Sequence, residues 1–111
     1  MYYNLRMVYI TTPTKTVAKE LGRLLLENHL AACVNILDGM ESMYWWKGEL
    51  VEEQECVLLV KTHYSRMKKL TTLVNEHHPY ECPCIISYTI TEDEGSADYR
   101  DWLYNESLAK N

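Results

Sequence analysis

The stretch SMYWWKGELV, residues 42–51, decides the fold. Lys47-Gly48-Glu49 is a compact turn signal set between two runs rich in aromatic and β-favouring side chains. Upstream, Ser42-Met43-Tyr44-Trp45-Trp46 continues an extended segment that opens with LAACVNI at residues 30–36. Gly39, between the two, marks a bend or bulge rather than an end, because extended character resumes after it. Downstream, residues 51–62 form the returning arm. A long hairpin at the centre of the chain follows.

Working outward, residues 6–12 (RMVYITT) read as a first strand that stops at Pro13. Thr14 or Thr16 can cap the helix after it, on which Val17, Leu21, Leu24, Leu25 and Asn28 fall at helical spacing. On the other side of the hairpin, Ser65 is placed to cap a second helix striped by Met67, Leu70, Leu73 and Val74, which must end before Pro79. Residues 85–91 return as a strand, with Ile86, Tyr88 and Ile90 on one side and Ser87 and Thr89 on the other. After the acidic loop Glu92-Asp93-Glu94-Gly95, the residues Tyr99, Trp102 and Leu103 give a short final helix an apolar edge. The order β-α-β-β-α-β plus a terminal helix is an α+β, ferredoxin-like arrangement with both main helices on one sheet face. That order by itself carries no function.

Within the returning arm, Cys56-Val57-Leu58-Leu59-Val60 is apolar in both alternating sets, so it is predicted to be buried on both faces. Two helices cover only one face of a single sheet. A second subunit is the simplest cover for the other. Nine Tyr and three Trp with no Phe favour the same reading, since large rings with a polar tip suit half-buried interface positions. Tyr44, Trp45 and Trp46 at the hairpin tip and Trp102 on the last helix are the expected interface rings; a ligand-stacking platform is the rival reading of the Trp pair.

A chain of 111 residues is the size of one domain, taken as residues 1–111. No apolar run approaches the roughly 20 residues of a membrane span. The start MYYNLRMVYITT has none of the marks of an export signal, so the cytoplasm is the expected location and the four cysteines are expected as free thiols. A net charge of −5 repels phosphate backbones, which argues against a nucleic-acid partner. There is no glycine-rich phosphate loop and no nucleophile paired with a base, so the expectation is a protein that is not an enzyme.

The remaining chemistry lies in HHPYECPC, residues 77–84. His77, His78, Glu81, Cys82 and Cys84 gather the imidazole, carboxylate and thiolate donors that copper and zinc prefer. Each also has a plain structural reading. A helix C-terminus favours imidazole without any metal, and a cysteine at a strand start packs as a small hydrophobe. Cys33 and Cys56 are read as core, and His29 and His63 as solvated or capping residues.

The LAACVNI run, the SMYWWKGEL hairpin, and Lys61-Thr62 followed by HHPYECP resemble the CutA family, which is linked to divalent-cation tolerance. The likeness runs from VYITTP in the first strand to DYRDWL in the last helix, in the family's order. It implies a ferredoxin-like subunit assembled as a homotrimer through its long strands, similar in architecture to the PII signalling proteins, with divalent cations as partners. It also implies copper binding by a histidine pair, here His77 and His78, together with a first-strand cysteine. Ile10 stands in that cysteine's place and has no donor atom, so a site of that composition cannot form here. Cys82 and Cys84 depart from the family's usual PYEVPEI text in the other direction. They offer a Cys-Pro-Cys run suited to Cu(I) or Zn(II). A different reading is a PII-like signalling or scaffold trimer that binds a small anion or a partner protein in clefts between subunits.

Overall fold

A computed structural model describes residues 2–109. Met1, Lys110 and Asn111 lie outside them, as does that part of the one-domain expectation. The element order is β1 (Leu5–Thr12), α1 (Lys15–Glu27), β2 (Cys33–Trp46), β3 (Glu49–His63), a 3₁₀ turn (Tyr64–Arg66), α2 (Met67–His77), β4 (Ile85–Thr89) and α3 (Ala97–Leu108). The four strands form one antiparallel sheet in the order β2-β3-β1-β4. This is the ferredoxin-like α+β architecture expected from the pattern.

The hairpin is closed by Lys47 and Gly48, both at positive φ (50° and 81°), so a two-residue primed turn pairs Trp46 with Glu49. Gly39, at φ 78°, sits in the irregularity between Leu37 and Met40, where the register of β2 against β3 shifts. The hairpin outruns its neighbours. β1 pairs with β3 only as far as Thr12 opposite Cys56, so residues 49–55 pair with β2 alone. The molecule measures 47 × 30 × 22 Å and its radius of gyration is 14.8 Å, above the value of about 13 Å for a compact chain of this length.

Strand pairing sorts the side chains onto two faces. Val8, Val34 and Val60 share the face covered by the helices with Ile10, Ile36 and Leu58, and there they pack with Leu21, Leu25, Leu70 and Val74 into the core. Gly22 lets α1 approach closely, since a Cβ at that position would stand 3.2 Å from Val34 Cγ2 and 3.4 Å from Leu58 Cδ1. Met7, Tyr9, Leu59, Ile86 and Tyr88 lie on the second face, where α3 packs against β3 and Lys61 Nζ lies 3.1 Å from the Tyr99 hydroxyl.

Several local expectations change. Thr14, not Thr16, caps α1 by accepting the Val17 amide. Asn28 leaves the apolar stripe and becomes the exposed C-cap, its side-chain amide donating to the Leu24 carbonyl. His29 follows at φ 55°, and the Leu30 amide reaches back to Leu25, which closes the helix in a left-handed cap. Ser65 does not cap α2. The His63 ring accepts the Ser65 amide instead, and a 3₁₀ turn leads into the helix. Cys56 is fully buried, but Cys33 lies on the second sheet face opposite Lys61 and is half-buried. β4 ends at Thr89, and its apolar pair Ile86 and Tyr88 is exposed because Ile86 pairs with Tyr9 rather than with the helix-facing Ile10.

Candidate functional site

The end of α2 sends its two histidines in different directions. His77 is the last helical residue; it is exposed, and its Nδ1–H donates 2.9 Å to the Leu73 carbonyl one turn back. This leaves Nε2 with a lone pair facing outward. His78 has already left the helix (φ −82°, ψ 137°) and is only 8% exposed. Its Nε2 lies 2.7 Å from the Thr11 carbonyl, and its Nδ1 lies 3.1 Å from the Tyr80 amide. A carbonyl only accepts, so Nε2 carries the hydrogen and Nδ1 accepts from Tyr80. Both nitrogens are thereby committed.

The other sequence-marked donors follow within a few residues. Cys82 is exposed and Cys84 half-buried. Burial pushes the Cys84 thiol up from its ordinary value, partly offset by a hydrogen bond with Thr11, so its thiolate, the form that binds metal, is disfavoured. Ile10 is fully buried in the apolar core. Among the described residues, no three His, Cys, Asp or Glu side chains come together where one ion could be held. The residues of one chain therefore do not fit a histidine-pair copper site.

What the loop at residues 80–84 does build is a cleft of about 730 Å³ on the second sheet face. Its other walls come from Tyr9 and Thr11 on β1, from Met40, Ser42, Tyr44 and Trp46 on β2, and from Glu53 and Glu55 on β3. The Tyr80 hydroxyl donates 2.9 Å to Glu55 Oε2, and the Tyr44 hydroxyl donates 2.5 Å to Glu53 Oε1. These bonds favour the protonated phenols. Tyr44 is pushed up to about 12, chiefly by its bond to Glu53. Tyr80 is raised well above the ordinary tyrosine value, first by burial and then by its bond to Glu55. Glu55 is 7% exposed. At the mouth, Lys47 Nζ lies 3.4 Å from Glu81 and 5.6 Å from the centre of the Trp46 ring.

Sequence reasoning missed Glu53, Glu55 and Tyr80. The signal was present in Glu53-Gln54-Glu55: carboxylates two residues apart on a strand share a face, and the apolar run that follows gives that face a buried end. Of the rings expected at an interface, Tyr44 and Trp46 line the cleft. Trp45 projects from the other side of the hairpin, 73% exposed, and Trp102 is 44% exposed on α3.

The model of the CutA1 divalent ion tolerance protein family matches residues 6–106. The chain belongs to this family. Among its relatives, the divalent-cation tolerance protein CutA of Thermus thermophilus is 46% identical over 97 residues, 87% of this chain and 92% of that protein. The Danio rerio CutA homolog is 40% identical over 87% of this chain but only 63% of its own length, and the chloroplastic CutA of Arabidopsis thaliana is 40% identical over 91% and 54%. The chain thus spans between about half and two thirds of these longer relatives. Among solved structures, CutA1 of Ehrlichia chaffeensis superposes with a TM-score of 0.86 at 30% identity, covering 98% of this chain and 99% of that one. For the Thermus thermophilus structure the TM-score is 0.83 at 45% identity, over 89% and 94%. A further structure, from Archaeoglobus fulgidus, is titled a periplasmic divalent cation tolerance protein, with a TM-score of 0.84 at 32% identity over 93% and 98%. Among the described residues no helix is long and apolar enough to cross a membrane.

Proposed function

We propose that this chain acts in divalent-metal tolerance as a single-domain, non-enzymatic homotrimer, and that copper or zinc engages it through His77, Cys82 and Cys84 near the subunit boundary. Family membership supports the tolerance role. The second sheet face supports the trimer: α3 covers one end of it, while Ile86, Tyr88 and Leu37 stay about half exposed beside the aromatic hairpin. Tyr44, Trp45, Trp46 and Trp102 are the rings a neighbouring copy would cover. The donors of one chain do not converge among the described residues, so a closed metal site draws on a second copy. His78 serves as the anchor of that loop and gives no nitrogen to the ion while its two hydrogen bonds stand. Four free thiols fit a reducing compartment, and we assign the cytoplasm.

The anion-binding alternative has little in its favour. Glu53 and Glu55 in the cleft repel an anion, and the ammonium at its mouth, Lys47, is already taken by Glu81. The deciding experiment is calorimetric titration of the reduced protein with Cu(II) and with Zn(II), its oligomeric state measured in the same samples. Binding that weakens at least tenfold in His77→Ala and in Cys82→Ser/Cys84→Ser is the expected result. Binding no tighter than that of isolated surface histidines, or unchanged in both variants, overturns the metal assignment.

A further inference from the structure

Glu55 is more than nine-tenths buried, yet no cation of the described residues pairs with it. Its Oε2 accepts the Tyr80 hydroxyl, and Oε1 has no hydrogen-bond donor among the described residues. That oxygen is not among the side-chain atoms sealed from solvent without a partner, and Glu55 lines the cleft, so Oε1 is open to a ligand there. Glu53 lies two residues away on the same side of β3, its Cα about 7 Å along the strand, and is likewise bonded only to a phenol, that of Tyr44. The cleft therefore presents two carboxylates in a row, each backed by a tyrosine, with no basic group beside them.

The rest of the lining suits an organic cation better than a bare ion. Trp46, Tyr44, Tyr80 and Tyr9 bring aromatic rings to the same space, and ring faces attract ammonium groups. The chain itself supplies an example at the mouth. There the Lys47 ammonium sits 5.6 Å from the centre of the Trp46 ring and 3.4 Å from Glu81, between an indole and a carboxylate. Deeper in, the same two kinds of group are present and no lysine reaches them. About 730 Å³ is ample for a small ligand.

The geometry points to a binding site for a small organic diamine in this cleft, one ammonium held by Glu55 and Tyr80, the other by Glu53 near Tyr44 and Trp46. Cys82 and Cys84 of the metal proposal line the same cleft, but the diamine is held by other side chains and its binding does not depend on a metal. It needs only the hairpin and the loop of one chain; a neighbouring copy would close the cleft from above.

The test is calorimetric titration of the purified protein, oligomeric state verified, with 1,4-diaminobutane at low salt, alongside 1,4-butanediol as the neutral analogue and inorganic phosphate as the anion. Intrinsic tryptophan fluorescence, to which Trp45, Trp46 and Trp102 all contribute, is followed in parallel. Diamine binding at least tenfold tighter than diol binding, with a change in tryptophan emission, is the expected result. Glu55→Gln keeps an acceptor for Tyr80 and should weaken the diamine about tenfold. Glu53→Gln, at a half-buried position near the hairpin tip where the amide oxygen still accepts from Tyr44, should weaken it severalfold. Diamine binding equal to that of the diol, or unaffected by both substitutions, overturns the proposal, and so does a cleft that takes phosphate in preference. Loss of metal binding in the His77 and cysteine variants with diamine binding intact would separate the two sites; diamine binding to a chain that is not trimeric would leave this site standing and remove the trimer.

Discussion

The Nε2–H of His78 donates to the Thr11 carbonyl at 2.7 Å and ties the end of α2 to the last residues of β1. Since Nδ1 of the same ring accepts the Tyr80 amide, one imidazole joins three segments: helix end, first strand and the loop that walls the cleft. His78→Ala should therefore cost stability, about 2 kcal/mol from two lost hydrogen bonds and an unpaired buried carbonyl. His77→Ala, at an exposed position, should change stability by no more than about 0.5 kcal/mol. Urea unfolding of both variants checks this; equal costs would mean that His78 is not an anchor.

The exposed second face sets a second expectation. If a neighbouring copy covers Ile86 and Tyr88, placing a charge there costs the assembly the burial of an apolar side chain plus desolvation of an ammonium. Light scattering on the wild-type chain should give three times the 13.1 kDa of one chain, and Ile86→Lys should shift the population to single chains while leaving the circular dichroism of the subunit in place. A wild-type mass of one chain would remove the trimer.

The architecture was legible because the turn at Lys47-Gly48 and the break at Pro13 punctuate the chain where the backbone does. Periodicity was less able to say which face meets the helices. For β4 it marked Ile86 and Tyr88 as the apolar set, but register against β1 is settled by long-range pairing, and that pairing turned them outward. The candidate site was legible only as a list of donors. Five donor residues in one short stretch suggest convergence, whereas the backbone leaves the helix at His78 and sends consecutive rings apart. The buried partnership of Glu55 with Tyr80 joins residues 25 apart in sequence, and no local pattern reports it.

The entry into α2 predicts a pH dependence. Burial, with Arg66 and Arg6 adding to it, holds the His63 imidazole below its ordinary value of 6.5. The unfolded chain thus takes up a proton at His63 before the folded chain does, so the contribution is fully present above the unfolded value and is lost as pH falls through 6.5 toward the folded one. Glu92 follows the carboxylate version of the same rule. The Tyr3 amide, with that of Asn4, holds it below 4.5, and its contribution is lost as pH falls below that value. Thermal unfolding from about pH 7.5 to about pH 5 should show falling stability. His63→Asn, which keeps an acceptor for the Ser65 amide, should flatten that slope; an identical slope in the variant would assign the loss to other groups.

Gly22 offers the sharpest test of how α1 sits on the sheet. Alanine there would gain up to about 1 kcal/mol of helix propensity over glycine. Its Cβ, however, would press on Val34 Cγ2 at 3.2 Å and touch Leu58 Cδ1 at 3.4 Å. Val34 is only half-buried and has room to turn, so Gly22→Ala should come out within about 1 kcal/mol of the wild type. Leucine adds three more carbons against the same two side chains, and Leu58 is fully buried in the central strand β3 with no space to yield. Gly22→Leu should then cost about 3 kcal/mol, or expel the helix from its place on the sheet. Urea midpoints at constant slope would measure the first outcome, and a raised slope or lost cooperativity the second. If leucine were tolerated as well as alanine, α1 would have to lie further from β2 and β3 than the close approach at Gly22 places it.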